Sequence, residues 1–251
     1  MADQVKQTIN QRAERRRQAL QTPRAAAVAG ILFAVLFIVS VGLMRLAIPE
    51  EVGGSEANAW LQTSVASVNF ALVLVPFAGI AFLWFMGVVR AHLGRQEDQF
   101  FSTVFYGSGL LFLAMLFTSA AVAGGMLSAY ALAPDTMDAS GVITFGRSII
   151  YTITNVYAIR MAGVFMLSLG TIWVRTHAMP RNLVILTYLL ALVLLLVINL
   201  SLWVIMIFPL WVLTVSIFIL AVSLRGRDTA AEGAVGAAPM TARDLPTTDM
   251  R

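Results

Sequence analysis

IIYTITNVYAIRMAGVFMLSLGTIWV, residues 149–174, decides the class of the fold. At 1.5 Å per helical residue this run is long enough to cross a ~30 Å hydrocarbon core. Its only charge is Arg160. Five further apolar segments, 25–44, 68–89, 104–127, 183–200 and 202–224, hold no charge at all. In a bilayer interior every backbone polar group must be satisfied within the chain, so segments of this kind are helices. The sequence therefore predicts an all-α polytopic membrane protein, a bundle of six transmembrane helices.

Composition leads to the same class. Of 251 residues, 59% are hydrophobic and 12% charged, and the mean hydropathy is +0.83. A soluble domain carries about 25% charged residues, so this chain has too little polar surface to face water on all sides. The lipid bilayer is its first expected partner. The net charge of +4 reads as topology and contact with anionic lipids at the cytosolic face rather than as nucleic-acid binding. With no cysteine there is neither disulfide nor thiolate chemistry.

The uncharged run from Leu183 to Leu224 would be about 63 Å long as one helix, twice the core thickness. It reads as two spans with a turn near Asn199 and Ser201. Residues 1–24 form a basic cytosolic segment, and 225–251, rich in Ala, Gly, Pro and Thr, a disordered cytosolic tail. Ala25–Met44 is longer than a signal-peptide core and reads as an uncleaved anchor.

Orientation follows from the cations. With the N-terminus inside, 14 of the 17 Lys and Arg residues fall on the cytosolic side, Arg45 and Arg147 on the outer side, and Arg160 within a span. That is a decisive positive-inside bias for a multi-pass protein of the cell membrane. Trp60 and Trp203 are expected near the outer interface, Trp84 and Trp173 near the inner one.

Candidate chemistry is sparse. Arg160 lies 15 residues, about 22 Å, from the inner-edge Arg175, and its side chain tilts outward, toward the helix N-terminus. Tyr151, Thr154 and Tyr157 form a stripe at spacing three beside it, with Asn155 close by. Together these residues are a candidate polar or anion site in the outer leaflet. No span contains an acid, so a carboxylate partner for Arg160 must come from Glu50, Glu51, Glu56, Asp135 or Asp138. The loop holding Arg90, Arg95, Glu97 and Asp98 is a candidate cytosolic contact. Small residues at 119–125 and at Ala158 and Ala162 mark close helix packing, within the chain or with a second copy or complex partner.

All 13 acids and both histidines lie outside the spans. Proton and sodium carriers commonly place such groups within the membrane, and no cofactor or metal motif is present. The sequence favours a non-enzymatic structural or accessory subunit. The alternative is a channel or carrier for anions, with Arg160 on an outer vestibule and helix breaks at Pro76 and Pro209.

Overall fold

The computed structural model of the chain describes residues 24–44, 56–93, 99–133, 141–177, 179–196 and 202–236. These form six helices. α1 is Arg24–Met44, α2 Glu56–Leu93 and α3 Gln99–Leu132. α4 spans Val142–Thr176 with a π-helical insert at Ile153–Ala158. α5 is Arg181–Leu196, and α6 is Ile207–Gly236, entered through a short 3₁₀ turn at Leu202–Met206. Five helices are long and apolar enough to cross a membrane. The exception is α5, a shorter apolar helix of 16 residues.

Several boundaries differ from expectation. α2, α3 and α4 start or end well beyond 68–89, 104–127 and 149–174. Hydropathy marks only the stretch that prefers lipid, whereas backbone hydrogen bonding continues into polar flanks. The segment expected at 183–200 is helical only to Leu196; the turn at Asn199 and Ser201 falls outside the described residues. α6 does not stop at Leu224 but continues through Gly236, so the tail placed at 225–251 begins as helix. Residues 1–23 and 237–251 lie outside the described residues. Neither proline breaks a helix. Pro76 sits inside α2, and Pro209 occupies the first turn of α6, where its missing N–H costs little.

α4 closes at His177, which adopts the left-handed conformation with φ 53°. Histidine tolerates this region better than bulky apolar residues do. Pro180 follows, its carbonyl accepting from the Leu183 and Val184 amides, and the chain reverses into α5.

Consecutive helices pack antiparallel. Along α3 and α4, Phe101 faces Arg175, Gly109 faces Phe165, Ser119 faces Thr154 and Gly146 faces Met126. α5 returns along α4, with Leu195 against Gly163 and Tyr188 against Gly170. The Tyr188 hydroxyl lies 2.9 Å from Thr171 Oγ1. α6 lies against α1. Arg24 Nε donates to Ser223 Oγ at 2.9 Å, and Ser216 fills the notch at Gly30, where a Cβ would sit 2.0 Å from its hydroxyl.

The core of the bundle is aromatic. The Phe82 ring centroid lies 4.7 Å from that of Phe33 on α1, 5.6 Å from Phe112 on α3, 5.3 Å from Phe165 on α4 and 5.6 Å from Phe208 on α6. Five helices thus meet at one side chain. α5 joins through Trp211 of α6, whose Nε1 donates to Thr187 Oγ1 at 2.9 Å. The outer faces are also apolar. Val28, Leu32, Val35 and Val39 of α1 and Phe70, Val73, Phe77, Ile80 and Trp84 of α2 are all exposed. Helices apolar on every side suit a lipid solvent and not water, so the chain is a multi-pass membrane protein associated with the lipid bilayer.

The same contacts give a depth scale. Arg24, Arg90 and Arg175 lie eight to ten residues, about 12–15 Å, from the Phe82 cluster. They lie on one side of it, since Arg90 stacks over Tyr106 and Arg175 over Phe101 at 5.3 and 4.7 Å. Half a hydrocarbon core is about 15 Å. The arginines therefore mark one end of the bundle, the basic end, at a distance from the aromatic cluster that matches half a hydrocarbon core.

Candidate functional site

The polar residues singled out on α4 fall in and beside the π segment. Its signature is the Ile159 amide donating to the Thr154 carbonyl, five residues back. Widening the turn by one residue changes which side chains share a face. The spacing-three stripe expected from Tyr151, Thr154 and Tyr157 is therefore divided. Thr154 turns toward α3, its Oγ1 2.9 Å from Ser119 Oγ. Tyr157 is 55% exposed. Asn155 Nδ2 donates back to the Tyr151 carbonyl at 3.2 Å, while its Oδ1 is buried with no hydrogen-bond partner among the described residues. These side chains do not converge on one cavity wall.

Arg160 follows the π segment immediately. Its Nη1 donates to the Val156 carbonyl at 2.7 Å, so the side chain folds back along its own helix, away from the basic end, as expected. The residue is half-buried. Of the proposed acids, Glu50, Glu51, Asp135 and Asp138 lie outside the described residues, and Glu56 is the first residue of α2. Neighbouring Ala158 and Ala162 are fully buried, which bears out their reading as packing positions.

π insertions are rare and concentrate at functional sites. Sequence reasoning found the residues of this one but not its geometry. A single extra residue in one turn leaves no periodic mark in an apolar run, and Ser119, its anchor on α3, read only as a small packing residue.

At the basic end, Arg90 is exposed and lies over the Tyr106 ring; Arg95, Glu97 and Asp98 lie outside the described residues. Trp84 is 68% exposed, but it is two residues from Phe82 and six from Arg90, so it lies near the level of the aromatic cluster rather than at the basic end. Trp173, two residues from Arg175, lies at the level of the basic end but does not face outward. It is buried, with its ring 5.9 Å from Trp211, because α5 and α6 close over that face of α4. Along α3, the small-residue pairs divide as well: Ser119 and Ala123 are buried, whereas Ala121 and Gly125 are exposed and a Cβ on Gly125 would meet nothing within 4 Å.

No protein-family model, no curated protein and no solved structure matches the chain.

Proposed function

We propose that this chain is a non-enzymatic structural or accessory subunit of a membrane assembly, with six crossings and both termini in the cytosol. The observation that carries this reading is the filled centre of the bundle. In this reading Phe82 and the four phenylalanines ringing it occupy the level of mid-membrane. A conducting path needs polar groups or water at that depth to replace hydration lost by the solute. The acids and histidines that serve as relays in coupled carriers are all outside the spans. The exposed Ala121 and Gly125 on α3 suit close approach by a helix of a second copy or of another subunit. The arginines of the basic end suit anionic lipid headgroups on the cytosolic side.

Two measurements test this. Purified chain in proteoliposomes should pass chloride, phosphate and potassium no faster than protein-free vesicles. From mild detergent it should emerge in a larger particle of fixed stoichiometry. Anion flux that disappears in a folded Arg160→Gln variant would overturn the subunit reading in favour of an anion channel or carrier. The half-buried Arg160 beside a π segment is the one feature that favours this second reading.

The topology has its own test. Because the chain has no cysteine, single-cysteine variants need no background removal. An impermeant maleimide added to intact cells should label Ser55→Cys and leave Thr248→Cys unlabelled until the membrane is opened. The reverse pattern would put the basic end outside.

A further inference from the structure

We propose that Arg160 binds the phosphate group of an outer-leaflet phospholipid. The inference rests on the depth and direction of one side chain, taken with the topology proposed above, and not on the subunit role. The Cα of Arg160 is about 22 Å from the level of Arg175, but the guanidinium is not at that depth. Its Nη1 sits 2.7 Å from the Val156 carbonyl, one turn further out. That carbonyl points back toward Arg160, so the charge lies only a few ångströms further out than the Cα, about 25 Å from the inner edge and about 5 Å short of the outer boundary of a ~30 Å core.

A guanidinium carries five N–H donors in a rigid fork that matches phosphate oxygens. The Val156 carbonyl engages one of these nitrogens. Phospholipid phosphates are the concentrated anions in the headgroup layer several ångströms beyond this level, within reach of an arginine that extends outward. The surroundings suit a lipid rather than a free ion. Tyr157, one turn nearer the outer side, is 55% exposed. Leu189, Leu192 and Leu196 on α5 are exposed, a surface along which acyl chains run inward from that level.

The test reads Arg160 in the wild-type full chain. Protein stripped of lipid in a neutral detergent is treated with phenylglyoxal, and modification of Arg160 is followed by peptide mass spectrometry. Without additions Arg160 should react readily. Dihexanoyl phosphatidylglycerol and dihexanoyl phosphatidylcholine should each slow the reaction several-fold, whereas dihexanoylglycerol, which lacks phosphate, should not. Equal protection by sodium phosphate at the same concentration would overturn the lipid assignment and identify a free-anion site. Protection by dihexanoylglycerol would show simple coverage and overturn the role of phosphate. An Arg160 that is unreactive before any addition would be held by a carboxylate such as Asp135 or Asp138, and the proposal would fall. As a second readout, native mass spectrometry of folded Arg160→Gln should show one fewer retained phospholipid than wild type; an unchanged number would also overturn it. If this variant does not fold, the wild-type labelling still decides. Solute flux appears in none of these readouts, so their outcome is separable from that of the subunit reading.

Discussion

Phe82→Ala should lower the stability of the folded bundle by about 2–3 kcal/mol, among the largest effects of any single truncation. The reasoning differs from that for a soluble core. In a bilayer the unfolded reference already has its helices in lipid, so removing apolar atoms forfeits little transfer free energy. What remains is the void. At ~24 cal/mol per Å³, an unrelaxed cavity on the order of 100 Å³ costs about 2–3 kcal/mol. Phe82 is the position where relaxation is least available. It is fully buried, and rings from α1, α3, α4 and α6 surround it. Unfolding by sodium dodecyl sulfate in mixed micelles measures the loss. An apolar cavity of this kind admits benzene, so saturating benzene should return part of the stability. A loss below about 0.5 kcal/mol would mean that the cluster collapses freely and does not organise the bundle.

Gly30→Ala should destabilise by about 1–3 kcal/mol through overpacking, and Ser216→Ala should reverse part of the loss. A Cβ at Gly30 would lie 2.0 Å from Ser216 Oγ and 2.9 Å from Phe85 Cδ2. The hydroxyl and the ring must both move, or α1 must separate from α6. Ser216 is fully buried, and its hydroxyl has no hydrogen-bond partner among the described residues. Ser216→Ala alone should therefore be neutral or stabilising by on the order of 1 kcal/mol, since it removes a polar group rather than a bond. In the double variant the two changes should be non-additive by at least about 0.5 kcal/mol, as expected of residues in direct contact. Strict additivity in the same denaturation assay would show that α1 and α6 do not meet at this pair.

The class of this protein was legible without coordinates. Charge poverty and the length of the apolar runs leave a helical membrane protein as the physical solution, because lipid supplies no hydrogen bonds to an irregular backbone. Arg160 was legible for the same reason: one charge in an otherwise uncharged set of spans needs no alignment to find. Its outward direction followed from the tilt of Cβ in any helix. Tertiary structure decided what one-dimensional hydropathy cannot express. Apolar side chains read alike whether they face lipid or protein, so nothing in the sequence separates exposed Phe77 from buried Phe82. The meeting of Phe33, Phe82, Phe112, Phe165 and Phe208 at one level depends on helix rotation and register, which packing alone sets. Hydropathy cannot show that Trp173 is buried rather than outward-facing, because its cover comes from Trp211, remote in the chain. The π turn at Ile153–Ala158 is likewise a tertiary product: Thr154 meets Ser119 across the α3–α4 interface, and the widened turn divides a stripe that helical periodicity alone would have kept whole.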